Sequence, residues 1–359
     1  MNNFLVVFDR IGNYHQARIE AFGKAVAEAK VYCAELSGSD KLYKWDKAEM
    51  NNYFTLSQRP AEENDFFHRF KKFRSIIKTC KIKYCCLCGY GRLEYIAFAL
   101  WARLKRVKIV MFCESWYGEK SLKNFFKSKF LKFTTCGMLV SGSKAKKFVT
   151  TVLNFPADKV ETPYSTVDND HFKSVNGYSS ASKTMLCVAR YSPEKNLFFL
   201  IDAFRKSNLN DSWKLTIVGG GPQKDELLTY TSQFDNITLI DWAAYNDLPA
   251  IYSQASFFVL ASTFEPWGLV VNEAMAAGLP VTCSVYCGCV PDLVRDGVNG
   301  YVFDSLKQES AIEVFNRISQ LNDNNLKSLS DKSLKIIEDF TLEIWTQKIL
   351  KLYAYNKHC

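Results

Sequence analysis

Apolar positions in the first half of the chain gather in short unbroken runs instead of alternating with polar ones. Residues 3–8 (NFLVVF), 31–36 (VYCAEL), 83–89 (KYCCLCG), 108–115 (KIVMFCES) and 137–142 (GMLVSG) all have this form. A strand covered on both faces of a parallel sheet reads this way, because neither side of its pleat meets water. Between the runs, residues 17–29, 64–79, 92–104 and 120–133 carry a helical pattern, and the alternation predicts an α/β, Rossmann-like domain. The polar segment 38–61 has neither period and is expected to be irregular. The first domain is expected to end near residues 158–172, and the small, polar stretch 175–183 reads as a linker. A second alternation follows, with strands in 183–190 (KTMLCVAR), 213–222 (WKLTIVGGGP), 236–242 (NITLIDW), 256–262 (SFFVLAS) and 279–284 (LPVTCS). Helices at 307–321, 325–338 and 341–355 close the chain, so the expected division is 1–167, 168–340 and a terminal helical segment 341–359.

A chain of 359 residues is comfortable for two domains that each bury a core, and 48% hydrophobic with 14% aromatic content excludes a disordered chain. No apolar run reaches the roughly 18 residues of a membrane span. Asn2 and Asn3 ahead of the first short run do not make a signal peptide, so the expected location is the cytoplasm. The twelve cysteines agree: Cys85, Cys86, Cys88 and Cys187 sit inside apolar runs, where a reduced thiol packs as a small hydrophobe. Cys283, Cys287 and Cys289 are the one cluster with a metal-like look. With four His in the chain and no second Cys pair at finger spacing, no metal site is expected.

Charge changes the picture further. Residues 1–167 hold 29 Lys+Arg against 15 Asp+Glu, and the remainder 17 against 22. After Glu119 no acid occurs before Asp158, while Lys120, Lys123, Lys127, Lys129, Lys132, Lys144, Lys146 and Lys147 do. Such a field attracts anionic lipid headgroups or phosphate-bearing acceptors, and no nucleic acid partner is expected. Leu122, Phe126, Phe130 and Phe133 make an apolar stripe at helical spacing among these lysines, and residues 66–83 are again basic and aromatic without an acid. Either segment alone reads better as a core-facing helix with a solvated back. Two in one domain favour a membrane-surface face.

The stretch richest in chemistry is 264–280 (FEPWGLVVNEAMAAGLP). Pro266 and Gly268 precede a helix that Gly278 and Pro280 stop, so the amides of Gly268 and Leu269 face outward at its positive end, ready for a diphosphate. Glu265 lies before that anion site and Glu273 about one and a half turns inside the helix, a pair suited to sugar hydroxyls on both sides of a phosphate. Arg190 and Lys195, in ARYSPEKN, stand at a strand-end turn facing the crevice of an α/β sheet, where a departing nucleoside diphosphate needs fixed positive charge. Arg10, Gly12 and His15, after the first strand, are candidate phosphate or sugar contacts by the same argument.

These residues together resemble glycosyltransferase family 4, strongly over about 183–305 and loosely over the first half. The shared signature is a Glu, seven residues, a second Glu and an Ala-Met-Ala-Gly-Leu-Pro type helix end. The resemblance implies the GT-B architecture, two Rossmann-like domains facing across a cleft, the last helix returning to the first domain. It assigns Arg190, Lys195 and the Gly268 and Leu269 amides to the donor diphosphate, Glu273 to the ribose and Glu265 to the transferred sugar. Gly219 and Gly221, in VGGGP, let the backbone approach the nucleotide, Asp241 and Trp242 follow the strand bordering the base pocket, and Gly12 approaches the donor phosphate. The family's mid-domain histidine has no counterpart between His68 and His171. His15 or a group on the Glu114–Ser115 loop takes its place, or the contact is absent.

The activity implied is transfer of a sugar, with retention, from a nucleoside diphosphate sugar to a hydroxyl of a glycan or glycolipid acceptor. The acceptor is expected to be lipid-linked or at a membrane surface, in polysaccharide or glycolipid biosynthesis, with segment 38–61 on the acceptor side. The enzyme would be cytoplasmic or peripheral at the cytoplasmic face of an anionic membrane. It would need no cofactor and no metal, since Arg190, Lys195 and the helix dipole supply the counter-charge. Competing readings are a nucleotide-sugar epimerase or phosphorylase on the same scaffold, and a non-catalytic member with a decayed site.

Overall fold

In the computed structural model, which describes residues 3–26, 28–38, 50–174 and 177–354, the first apolar run is strand β1 (Asn3–Phe8). Its even residues Phe4, Val6 and Phe8 face one buried layer and its odd residues Leu5 and Val7 the other, as the pleat requires. The chain divides into two compact units, Met1–Val167 with Leu342–Cys359, and Asp168–Thr341.

The first unit continues through α1 (Asn13–Ala25), β2 (Val31–Glu35), β3 (Tyr53–Thr55), α2 (Phe66–Thr79), β4 (Ile82–Cys88), α3 (Leu93–Leu104), β5 (Lys108–Cys113), α4 (Leu122–Thr134), β6 (Gly137–Val140), α5 (Ser143–Lys147) and β7 (Val160–Glu161). Its sheet has the order β3-β2-β1-β4-β5-β6-β7 with every pairing parallel. The second unit holds α6 (Asn169–Phe172), β8 (Thr184–Val188), α7 (Leu197–Lys206), β9 (Lys214–Val218), α8 (Lys224–Thr231), β10 (Ile237–Ile240), α9 (Leu248–Ser253), β11 (Phe257–Leu260), α10 (Leu269–Ala276), β12 (Val281–Ser284), β13 (Gly300–Phe303), α11 (Gln308–Ser319) and α12 (Asp323–Ile337). Its parallel sheet runs β10-β9-β8-β11-β12-β13. Each unit is a Rossmann-like α/β layer structure.

The last helix, α13 (Leu342–Ala354), belongs to the first unit. Trp345, Ile349, Leu352 and Tyr353 enter the layer of Phe4, Val6 and Phe8 beside Ile19 and Phe22 of α1. Lys348 and Lys351 pair with Glu161 of β7 at 2.9 and 2.5 Å. Gly137 makes the close fit possible, because a Cβ there would stand 2.8 Å from Leu352 Cδ2.

Three boundaries differ from the sequence reading. Helix α1 starts at Asn13, not 17, because Gly12 in extended conformation is its N-cap. Segment 38–61 is not wholly irregular: Tyr53–Thr55 adds an edge strand to β2, and the Glu35 carboxylate holds the Tyr53 and Thr55 hydroxyls. Residues 39–49 of that segment lie outside the described residues. Strand β13, inside the turn-rich 295–304, was not expected; it closes the sheet edge through Val281–Gly300 and Ser284–Phe303 pairing.

Candidate active site

The sheet of the second unit reverses its strand order between β8 and β11. In open α/β sheets the ligand crevice lies beyond the carboxyl ends of the strands at such a point. The chain leaving β8 carries Arg190 to Lys195, and the chain leaving β11 carries Glu265; Thr263 N–H donates to Glu194 O at 2.9 Å and binds the two loops together. Lys195 Nζ then donates to Glu265 Oε2, each side chain only 14% exposed. Arg190 Nη2 meets Glu194 Oε1 at 2.7 Å, and Ser192 Oγ donates to the same oxygen at 2.7 Å. Burial opposes ionisation of Glu194, but the Ser192 hydroxyl, a backbone N–H, Arg190 and Lys195 outweigh it and hold its pKa below the usual carboxylate range. Both sequence-predicted cations are therefore present, each with a carboxylate partner. Glu194 had not been singled out, although its i,i+4 spacing from Arg190 was readable.

Buried hydroxyls fix these loops from beneath. Asn196, left-handed at φ +58°, donates through Nδ2 to Ser305 O at 2.9 Å. Ser305 Oγ donates to Ser262 O at 3.1 Å and lies 2.8 Å from Ser284 Oγ. Glu265 itself is bracketed by backbone, its N–H donating to Tyr286 O at 3.2 Å and its carbonyl accepting from Gly288 at 2.9 Å. Trp267, buried, donates its indole N–H to Asn272 Oδ1 at 2.8 Å and pins the loop to α10. The helix begins at Leu269, with Gly268 left-handed at φ +103° and no side-chain cap, so its first-turn amides suit an external anion.

Several assignments change in physical meaning. Gly219 and Gly221 are also required by packing within the unit: a Cβ on Gly219 would stand 1.9 Å from Ala189 O, and one on Gly221 2.6 Å from Tyr191 O. It is Gly220 that has open space around it. Glu273 is fully buried, and its Oε2 accepts from Tyr252 O–H at 2.7 Å. Asp241 and Trp242 follow edge strand β10 and are exposed, Asp241 pairing with Lys224 at 2.5 Å. An Asp-x-Asp spacing passed over in the sequence, Asp168 and Asp170, starts a helix: Asp168 Oδ1 accepts from the Asp170 and His171 amides at 3.1 and 3.3 Å. Among the described residues no group of three or more His, Cys, Asp or Glu is arranged to hold a metal ion.

In the first unit, the turn after β1 also lies at a reversal of strand order, between β1 and β4. Gly12 N–H donates to His15 Nδ1 at 3.3 Å, which puts the imidazole proton on Nε2, and the ring packs on Phe8 at 4.2 Å. Burial, and next the Arg18 guanidinium, push the His15 pKa down to about 3, so the ring is neutral. Arg10 is half-buried. Asp9 accepts from Tyr95 O–H at 2.6 Å, and Glu114 Oε1 from Ser165 Oγ at 3.0 Å.

Two doubly wound parallel sheets, with paired charges at the switch point of the second, define an α/β protein of the GT-B class. The same fold is seen in the crystal structure of Anabaena HepE in complex with UDP and glucose, which is 13% identical and aligns at a TM-score of 0.72 over 99% of this chain and 100% of that one. Residues 168–335 match the family Glycosyl transferases group 1. An uncharacterized glycosyltransferase of Methanocaldococcus jannaschii is 27% identical over 183 residues, 47% of each chain. Alpha-monoglucosyldiacylglycerol synthase of Streptococcus pneumoniae is 31% identical over 128 residues, 34% of this chain and 29% of that one. The match thus spans about half the length of the first of these relatives, and less than a third of the second.

Proposed function

We propose that the protein is a retaining glycosyltransferase that moves a sugar from a nucleoside diphosphate donor to the hydroxyl of a glycan or glycolipid acceptor, lipid-linked or held at the cytoplasmic face of a membrane, in polysaccharide or glycolipid biosynthesis. The observation that carries this reading is the joining of Lys195 to Glu265 across the switch point, beside the Arg190–Glu194 pair of the β8 loop and next to the uncapped start of α10. Four mutually balanced charges hold the loops in place before substrate arrives, and the lysine and arginine retain further N–H donors for phosphate oxygens. The complex of HepE with UDP and glucose supports the donor class, and the name of the pneumococcal synthase supports a lipid acceptor.

In this reading the acceptor oxygen bonds to the anomeric carbon on the face from which the diphosphate oxygen departs, and the acceptor proton passes to that oxygen. Lys195, Arg190 and the α10 amides stabilise the negative charge that grows on the leaving group. Glu265, held by Lys195, stands where it can orient the sugar hydroxyls. Because the chain supplies the counter-charge, turnover is expected to need no metal.

The test is a panel of UDP-, GDP- and ADP-sugars incubated with the enzyme and a lipid-linked acceptor, with and without EDTA, reading released nucleoside diphosphate and the anomeric configuration of the product. One donor should be consumed with retention in both conditions. No release from any donor, an inverted product, or activity lost in EDTA and restored by magnesium would contradict the reading.

A further inference from the structure

We infer that the first unit carries a docking face for an anionic lipid bilayer, built from the outward sides of α2, α3 and α4. Helix α4 sits on the sheet through Ser128, Leu131 and Thr134 and turns its apolar stripe outward: Leu122 is 72%, Phe126 64% and Phe133 59% exposed. Of the stripe noted in the sequence, only Phe130 packs against the core, half-buried; the other three stand outward. Beside it, α3 buries Tyr95, Phe98 and Ala102 and exposes Leu93, Leu100 and Leu104, which share one face at helical spacing. Arg103 Nε donates to Phe133 O at 3.2 Å and joins the two rows. On the other side of α3, α2 packs through the Phe73–Phe98 ring pair at 4.1 Å and exposes Phe67. Lys71, Arg74 and Lys78 line the same outward side of α2.

Charge decides the occupant. Residues 66–134 contain seventeen Lys+Arg and three acids, Glu94, Glu114 and Glu119; Glu94 is spent on buried Arg69 at 2.7 Å. Among the described residues, Glu119, with Glu62 and Glu63 just ahead of α2, gives exposed acid near the face. Apolar side chains standing out in rows with cations among them match an acyl boundary beneath phosphate headgroups, where leucine and phenylalanine enter and lysine and arginine reach outward. A patch this apolar on a soluble protein marks an interaction site. The first turns of the three helices follow parallel strands, so Phe67, Leu93 and Leu122 lie at the carboxyl edge of the sheet, where the crevice of an α/β unit opens. A bilayer on this face would bring a lipid-borne acceptor to that edge. The geometry stands independently of the sugar-transfer reading.

Co-sedimentation of the full chain with vesicles tests it without any activity measurement. Vesicles of phosphatidylglycerol and phosphatidylcholine should pellet the protein at low salt, and phosphatidylcholine alone about tenfold less; binding should fall as salt rises. The pair Leu122→Ser and Phe126→Ser, and separately Lys123→Glu and Lys129→Glu, should each weaken binding about tenfold or more with unchanged thermal melts, since all four side chains are exposed. Leu306→Ser, an exposed apolar position of the second unit, should bind as wild type. Wild-type protein left in the supernatant, or face variants that bind like wild type, would overturn the proposal. So would a wild-type dimer that the face variants dissociate while vesicle binding persists, because a second copy would then cover the face.

Discussion

Lys195 and Glu265, 70 positions apart in sequence, are joined by a charge-assisted hydrogen bond where the loops after β8 and β11 meet. The bond makes the resting site nearly neutral, so a donor diphosphate must share or displace Glu265 to engage the lysine. Glu265→Gln should release the cation. Nucleoside diphosphate affinity is expected to rise about tenfold by calorimetry, on the order of one charge-assisted bond, while turnover falls roughly a hundredfold. Weaker nucleotide binding in this variant would show that Glu265 is itself a phosphate-side determinant.

The glycine triplet separates fold from ligand. Gly219→Ala and Gly221→Ala should each lose more than about 2 kcal/mol and lower the melting temperature, since both sit at φ +153° against neighbouring backbone. Gly220→Ala, with nothing within 4 Å, should fold normally and change only donor affinity. Equal melts for all three would refute the packing argument.

His15 gives a pH dependence with a definite sign. Its pKa falls from 6.5 to about 3 on folding, so the unfolded chain binds the proton more readily. The stabilisation is complete above 6.5 and is lost as pH falls toward 3. Imidazole NMR should show no His15 titration between pH 8 and 4 while the fold persists, and His15→Gln should flatten this part of the acid stability curve. A His15 midpoint near 6.5 would mean the ring is solvated.

Helix α13 completes a core that begins at Phe4. Trp345→Ala should cost about 3–5 kcal/mol, and hydrogen exchange should rise first in β1 and α1, which share its layer. Protection lost in the second unit instead would contradict the packing described.

The strands were readable because both faces of β1, β4, β5, β8 and β11 are covered, leaving unbroken apolar runs. The short strands β3, β7 and β13 were not, because two to four residues at a sheet edge carry too little pattern to separate from turns. At the candidate site, Arg190, Lys195, Glu265 and the α10 start were singled out from residue type and motif. Their pairing was hidden, since it depends on tertiary contact between loops far apart in sequence. The packing demand at Gly219 and Gly221 was hidden for a related reason: a glycine admits any close neighbour, and only the fold shows that Ala189 and Tyr191 occupy the space. The stripe from Leu122 to Phe133 was ambiguous because helical spacing is the same whether a face meets core or solvent.

The central claim, that the switch-point charges of the second unit drive departure of a nucleoside diphosphate, is tested most directly by Lys195→Ala. Steady-state transfer from the donor identified in the panel should fall at least about a hundredfold, with a comparable loss in single turnover and a native circular dichroism spectrum. A folded Lys195→Ala protein that transfers sugar at the wild-type rate would contradict the account.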